Sequence, residues 1–169
     1  LYIMTKIFFF DIDNTLLDHR TNTIPESALS AISDLKDSGH QVVVATGRSH
    51  AHAKEYLLQL QPSYAVMQNG AIVLRGDEVM DKSPLAYDGL ISLFAEMTAR
   101  GHAYGINGDE GGHVSAETDE VMLPMDSVEI TVNADFDFYK TSEVLQGWLF
   151  FDESLDNELI PELHAMFPQ

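Results

Sequence analysis

The sequence contains no cysteine, which excludes disulfide bonds, zinc–thiolate sites and cysteine nucleophiles and favours a cytoplasmic location. Long apolar runs are also missing near the amino terminus, where the longest is Ile7–Phe10. Four residues are far too few for a membrane span or the core of a signal peptide, and no small-residue cleavage site follows them. We therefore expect a soluble, unprocessed protein without a membrane partner.

Positive charge is scarce. The chain has 9 Lys and Arg residues against 27 Asp and Glu residues, for a formal net charge of −18. Such a field repels phosphate backbones and anionic lipid headgroups, so nucleic-acid and membrane-surface roles are not expected. An anionic substrate would have to be neutralised locally by a divalent cation or by backbone dipoles.

The 169 residues, 45% of them hydrophobic, suffice for one domain or for a compact domain plus part of a second. Apolar runs at 7–10, 42–45 and 64–67 alternate with amphipathic helical patterns at 28–35 and 49–60, an order typical of a parallel α/β sheet. We expect the first run to be a strand buried on both faces. Thr23 is a candidate N-cap for the first helix.

The pattern of apolar and turn-forming residues changes after Gly70. Residues 71–74 and 78–80 flank a hairpin signal, Arg75-Gly76-Asp77, after which an α+β pattern begins. It comprises helices at 85–100 and 157–166, strands at 102–106, 128–132 and 148–151, and a polar glycine-rich stretch at 107–112. We predict two domains, 4–83 and 84–169, and take Met4 as the initiator.

Two carboxylates stand at the end of the first strand, in the segment Asp11-Ile12-Asp13. Open α/β sheets place their ligands at the carboxyl ends of strands. Two acidic side chains there would repel each other unless they share a cation or one is protonated, so the pattern predicts either Mg²⁺ binding or an acid/base pair. The alternative is an aspartate that simply caps a turn.

The residues around this acidic pair resemble the motifs of a known protein family. Phe8-Phe9-Phe10-Asp11-Ile12-Asp13-Asn14-Thr15 resembles the first motif of the haloacid dehalogenase superfamily, and Val42-Val43-Val44-Ala45-Thr46-Gly47-Arg48 resembles the second. The Ala-Thr-Gly-Arg form and the later Gln68-Asn69-Gly70-Ala71 are similar to its Cof-type branch. The resemblance implies a Rossmann-like parallel sheet core with an inserted α+β cap. It also implies a magnesium-dependent phosphatase acting on small phosphorylated metabolites, sugar phosphates among them.

The resemblance also implies roles for particular residues. Asp11 matches the nucleophile that forms an aspartyl-phosphate, Asp13 matches the acid/base, and both would bind Mg²⁺. The predicted substrate- and phosphate-binding residues are Thr46, Gly47, Arg48 and Asn69. Three alternatives stay open: Thr46 as a helix N-cap, Arg48 as a solvated residue at a helix start, and Asn69 as part of a turn after the third strand.

Other features do not indicate a site. Asp135-Phe136-Asp137 repeats the acidic spacing, but Asn133 and Ala134 interrupt its approach strand. His50 and His52 are two residues apart, so they point to different sides of a helix and are expected on the surface. The glycine-rich stretch 105–113 lacks the spacing and the lysine of a phosphate-binding loop. The alternative that it reaches the substrate as a loop of the cap stays open.

Two further motifs of the family, a lysine and a Gly-Asp-x-x-x-Asp segment, are not found after Gly70 in the expected context. The sequence therefore predicts the amino-terminal part of a longer enzyme, inactive by itself, with an incomplete cap. In that case strand 7–10 becomes an open edge that allows self-association. The competing hypothesis is a non-catalytic binding or regulatory domain with the same fold.

Overall fold

The computed structural model describes residues 4–18, 20–108, 111–127, 132–133, 140 and 143–167. The chain divides into two compact units, Leu1–Ser83 and Pro84–Gln169, and each is described by itself. In the described part of the chain, no helix is long and apolar enough to cross a membrane.

The first unit is a five-stranded sheet with the strand order β1-β2-β3-β4-β5. The first three strands are parallel and the last two are antiparallel, so the predicted parallel pattern and the hairpin are confirmed. The elements of this unit are β1 (Ile7–Phe10), α1 (Glu26–Asp37), β2 (Gln41–Ala45), α2 (His50–Leu60), β3 (Tyr64–Met67), β4 (Ile72–Arg75) and β5 (Glu78–Lys82).

The core of the first unit follows the apolar pattern. The three consecutive valines of β2 are all buried, as expected for a strand covered on both faces. Helix α2 buries Ala53, Tyr56 and Leu60, which lie three and four residues apart and so share one helical face. The N-cap of α1 is Pro25 rather than the predicted Thr23. Gly76, with φ of 60°, supplies the left-handed backbone of the β4–β5 turn.

The prediction that strand β1 is buried on both faces is wrong for this chain. Ile7 is 58% and Phe9 65% exposed, and Phe8 and Phe10 are half-buried. Ile7 and Phe9 project from the same face of the strand, and that face is exposed at β1, which pairs with β2 alone and forms one edge of the sheet. An apolar run therefore predicts burial only where both faces of the strand are covered.

The second unit is a four-stranded sheet with the strand order β8-β7-β6-β9. Its elements are α3 (Tyr87–Ala99), β6 (Ala103–Gly108), β7 (Gly111–Val114), α4 (Asp119–Ser127), β8 (Val132–Asn133), β9 (Gln146–Phe150) and α5 (Asp156–Met166). Residues 107–108 and 111–112 of the polar glycine-rich stretch lie in β6 and β7, and α4 was not predicted. Most of the predicted strand at 128–132, and Asp135-Phe136-Asp137, lie outside the described residues.

Helices pack on both faces of this second sheet. On one face, Phe94 of α3 stacks on Tyr104 of β6, with ring centroids 4.1 Å apart, beside a cluster of Met97, Leu159 and Leu163. A separate cluster joins Val114 of β7 to the α4 residues Val121 and Met125. Since successive residues of a strand point to opposite faces, α3 and α5 cover one face of the sheet and α4 covers the other.

Candidate active site

The loop after β1 presents two carboxylates because the residue between them is anchored in the core. Ile12 is fully buried, whereas the flanking Asp11 is exposed and Asp13 is half-buried. The Leu17 N–H donates to the Ile12 carbonyl at 2.9 Å and closes the loop. Within it, Asn14 has φ of 57°, a left-handed conformation that asparagine tolerates better than most residues. Both acidic side chains are therefore held outside the core at the carboxyl end of β1.

The ends of β2 and β3 are joined by backbone hydrogen bonds. The Thr46 N–H donates to the Val66 carbonyl at 2.9 Å, the Asn69 N–H donates to the Thr46 carbonyl at 3.4 Å, and the Gln68 N–H donates to the Arg48 carbonyl at 3.2 Å. The two loops are thus fixed relative to each other. Because parallel strands end at the same edge of a sheet, these loops lie beside the Asp11 loop.

Gly47 lies close to the Asn69 side chain of the neighbouring loop. A Cβ atom at this position would come to 3.0 Å from the Asn69 Oδ1 atom. A larger residue would therefore require the Asn69 side chain to move by a few tenths of an ångström. This contact explains why a glycine at position 47 suits the loop.

An open cleft of about 450 Å³ lies at this edge of the sheet. Four of the six predicted site residues line it: Asp11, Thr46, Gly47 and Asn69, together with Ala45, Val66 and Gly70. Thr46 is buried except where it reaches this cleft, and its Oγ1 accepts a hydrogen bond from the Arg48 N–H at 3.2 Å. The alternative role of Thr46 as a helix N-cap is not observed, since Ser49 occupies the N-cap position of α2.

The other two predicted residues pair with each other. The guanidinium of Arg48 donates twice to the Asp13 carboxylate, from Nε to Oδ2 at 2.9 Å and from Nη2 to Oδ1 at 2.8 Å. The side chain of Arg48 is only 12% exposed, so it is not a solvated residue at a helix start. The structure places this guanidinium against Asp13 rather than on the lining of the cleft.

Two residues that contact Arg48 were not found by sequence reasoning. The Arg48 guanidinium carbon lies 5.0 Å from the centre of the Tyr56 ring, and Nη1 donates to the His52 carbonyl at 3.5 Å. The available signal was the spacing of four between residues 48, 52 and 56, which puts them on one side of a helix and its amino-terminal extension. His50 is exposed as predicted, but His52 is half-buried and its Nδ1 lies 2.7 Å from the Ser49 hydroxyl.

The metal ligands that the sequence implied can be compared with this geometry. The exposed Asp11 carboxylate lines the cleft, and it is the hard oxygen ligand that Mg²⁺ prefers. The Asp13 carboxylate is held by Arg48, which leaves the backbone carbonyl of Asp13 as its candidate ligand. The described residues contain no cluster of three or more His, Cys, Asp or Glu side chains arranged around a metal. Asp11 and Asp13 therefore fit as two ligands of a site that needs others.

Comparisons with known proteins agree with these observations. A model of the haloacid dehalogenase-like hydrolases matches residues 8–168. The protein "Putative phosphatase YkrA" of Bacillus subtilis (strain 168) is 28% identical over 167 residues, which cover 98% of this chain and 63% of that protein.

Two solved structures are also similar to this chain. One is a hypothetical protein from Geobacillus kaustophilus HTA426, with a TM-score of 0.82, 28% identity, and coverage of 94% of this chain and 62% of that chain. The other is BT1666 from Bacteroides thetaiotaomicron, described among phosphatases of the haloalkanoate enzyme superfamily, with a TM-score of 0.82 and 25% identity. The alignment with BT1666 covers 95% of this chain and 61% of that one. This chain thus spans less than two thirds of the length of each of these relatives.

Proposed function

The chain belongs to the haloacid dehalogenase-like hydrolases, the family whose model matches residues 8–168, and we propose that its protein is a magnesium-dependent phosphatase of small phosphorylated metabolites. Its α/β fold is the one seen in solved members of that superfamily. The observation that carries the proposal is the meeting of Asp11, Thr46, Gly47 and Asn69 on one cleft. Asp13 stands two residues from the proposed nucleophile.

The proposed reaction uses the two carboxylates in sequence. A carboxylate oxygen of Asp11 attacks the substrate phosphorus, the bond from phosphorus to the leaving oxygen breaks, and Asp13 gives that oxygen a proton. Asp13 then accepts a proton from a water molecule, whose oxygen attacks phosphorus and releases phosphate from Asp11. The exposed position of Asp11 on the cleft supports the first role.

The phosphoryl group needs donors that face it where its negative charge accumulates. Thr46 is suited to this because its hydroxyl accepts the Arg48 N–H and keeps its own proton available to donate. Asn69 contributes a side-chain amide at the opposite loop. In a chain with a net charge of −18, such local donors decide whether a phosphate can enter.

Mg²⁺ would be held here by the Asp11 carboxylate and the Asp13 backbone carbonyl, with further ligands from outside this pair. When bound, it supplies positive charge that offsets the charge of the phosphate and the two aspartates. We further propose that residues 4–83 are the first half of the catalytic core and that residues 84–169 belong to the cap. Sugar phosphates are the first substrates to test, and the lack of cysteine leaves a cytoplasmic location as our prediction.

The test is phosphate release by the full-length protein from a panel of phosphorylated metabolites, with and without Mg²⁺. We expect turnover that chelation with EDTA abolishes and Mg²⁺ restores. Asp11→Asn should lower kcat by at least about a thousandfold, as loss of a catalytic nucleophile does. Asp77→Asn is the matched control, since Asp77 is an exposed aspartate in the β4–β5 turn of the same unit.

Two results would contradict the proposal. Near-normal turnover by the Asp11→Asn variant would remove Asp11 from the mechanism. A wild-type protein that binds phosphorylated metabolites but releases no phosphate from any of them would favour the non-catalytic binding domain instead.

A further inference from the structure

The turn after β3 contains a chemically labile pair of residues, Asn69-Gly70. We propose that Asn69 is a site of spontaneous modification, at which the side-chain amide is lost as ammonia and the resulting carboxylate weakens the binding of phosphate in the cleft. The modification thereby limits the working life of the protein. The reaction at Asn69 follows from the fold, whereas its effect on phosphate rests on the phosphatase function proposed above.

The reaction uses only atoms of the chain and water. The Gly70 nitrogen attacks the side-chain carbonyl carbon of Asn69, the bond from that carbon to the amide nitrogen breaks, and the Gly70 proton passes to the nitrogen that leaves as ammonia. The product is a five-membered succinimide ring. Water then opens the ring at either carbonyl and gives aspartate or isoaspartate at position 69. Glycine favours ring closure because it has no Cβ atom to obstruct its nitrogen.

The first step of the argument is that this pair is open to water. Asn69 and Gly70 are both exposed, and both line the cleft at the carboxyl ends of the parallel strands. In the part of the chain that the structure describes, a Cβ atom at Gly70 would find no heavy atom within 4 Å beyond its own chain neighbours. The ring therefore has room to form, and water can reach it.

The second step concerns the backbone conformation of Asn69. Its φ is 55° and its ψ is 32°, and the first central residue of a type II′ turn has about the same φ with a ψ of about −120°. At that ψ, the Gly70 nitrogen lies on the same side as the Asn69 Cβ atom and can reach the side-chain carbonyl. Rotation of a single peptide plane therefore brings the two reacting groups together.

Two hydrogen bonds beside this peptide plane survive the rotation. The Asn69 N–H donates to the Thr46 carbonyl at 3.4 Å, and the Ala71 N–H donates to the Gln68 carbonyl at 3.2 Å. Both bonds belong to the peptide groups on either side of the one that joins Asn69 to Gly70, so neither has to break. Gly70, with φ of 100°, takes up the compensating rotation because glycine has few forbidden backbone conformations.

The chain contains a second Asn-Gly pair, Asn107-Gly108, which the fold protects. Asn107 is 2% exposed and lies in β6, which pairs with β7 on one side and β9 on the other. Its Nδ2 donates to Gln146 Oε1 at 3.2 Å, and its backbone carbonyl accepts from the Leu145 N–H at 2.9 Å. Rotation of the peptide after Asn107 would break the second of these bonds. The same dipeptide is thus labile in the turn and protected in the sheet.

The modification changes the charge of the cleft. Asp11 already lines it, and a carboxylate at position 69 adds a second negative charge to the same lining. Like charges a few ångströms apart repel each other, so a phosphate in the cleft should bind about tenfold or more weakly after the reaction. Isoaspartate also adds one carbon atom to the main chain, which displaces the turn itself. Both products therefore act against phosphate binding.

The experiment stores the full-length protein at mildly alkaline pH and follows the conversion of amide to acid by peptide mass spectrometry. We expect conversion at Asn69 well before Asn107, and similar rates for both in the urea-unfolded chain. Asn69→Gln is the matched control, because its longer side chain has to close a less favourable six-membered ring and should stay unconverted. Equal rates at Asn69 and Asn107 in the folded protein, or an Asn69 that converts only after unfolding, would overturn the proposal.

Calorimetric titration with inorganic phosphate and Mg²⁺ separates the modification from the proposed function. Stored wild-type protein and fresh Asn69→Asp should both bind phosphate about tenfold or more weakly than fresh wild type. Equal affinity in all three would refute the effect on the cleft. A fresh wild type that neither binds phosphate nor hydrolyses any ester would overturn that effect together with the proposed function, whereas the mass measurement would still establish the modification of Asn69.

Discussion

Replacing Thr46 with valine separates two roles that its hydroxyl can have. Valine has nearly the same shape but no hydroxyl, and the backbone hydrogen bonds of Thr46 to Val66 and Asn69 do not involve the side chain. The change therefore removes one acceptor for the Arg48 N–H and one donor on the lining of the cleft. The first loss affects stability, and the second affects catalysis.

The expected magnitudes of the two losses differ enough to be told apart. An N–H left without its partner costs about 1 kcal/mol of unfolding free energy, and a domain with at least about 5 kcal/mol of stability remains almost entirely folded. A missing donor to the charge that develops on the phosphoryl group costs about 2.7–4 kcal/mol of activation free energy, a factor of about 10²–10³ in kcat. Partial unfolding cannot produce such a loss.

The assay combines steady-state kinetics with thermal unfolding of the full-length protein. Thr46→Val should lower kcat by about 10²–10³-fold with a small fall in melting temperature. Thr46→Ser, which keeps the hydroxyl, should retain most of the activity. If Thr46→Val loses stability but keeps kcat within about threefold of the wild type, then Thr46 serves only the local structure and our assignment is refuted.

Two further predictions concern the second unit. Phe94→Ala should lower the free energy of unfolding by about 3–5 kcal/mol, because Phe94 is fully buried and stacks on Tyr104. Urea unfolding would measure this loss, with Leu123→Ala as a control because Leu123 is exposed. A loss below about 1 kcal/mol in Phe94→Ala would contradict the packing described. Hydrogen bonds from Ser154, by its hydroxyl and then its N–H, lower the pKa of Asp152. The contribution of Asp152 to stability should therefore be complete above the ordinary aspartate pKa of about 3.9. It should disappear as the pH falls through the lower pKa that Asp152 has in the folded protein. The difference in unfolding free energy between wild type and Asp152→Asn should vanish below that folded-state pKa. A difference that grows on acidification would contradict this prediction.

The predictions from sequence that were confirmed are those that depend on local patterns. The valine run of β2, the helix that follows it and the hairpin around Gly76 each lie within a short segment whose periodicity is readable. The burial of β1 was predicted wrongly because it depends on which strands flank it, and periodicity within four residues carries no information on that.

Strand β7 and helix α4 show a second limit of local patterns. The glycine-rich stretch 107–112 was not predicted to contain a strand, yet Gly111 and Gly112 lie in β7 beside β6. In β6, a Cβ atom at Gly105 would come within 2.9 Å of the Trp148 ring, so glycine there permits close packing. Helix α4 contains Pro124, a residue that usually argues against a helix. In both places tertiary packing outweighs local propensity.

The candidate site also has features that a local rule predicts and features that depend on tertiary packing. The carboxyl-end rule for parallel strands predicts that Asp11, Thr46 and Asn69 converge, and all three line the cleft. The pairing of Asp13 with Arg48 joins residues 35 positions apart. It depends on the rotamers of both side chains and on the packing of Tyr56, none of which a motif specifies.

The central claim is that Asp11 is the nucleophile, and its most direct test is to trap the phosphorylated protein. The full-length protein, mixed with substrate carrying ³²P in its phosphoryl group and quenched in acid within milliseconds, should hold the label on the peptide that contains Asp11. Asp11→Asn should carry none, whereas Asp77→Asn should be labelled like the wild type. Rapid phosphate release with no label on that peptide, or label on another residue, would contradict the account.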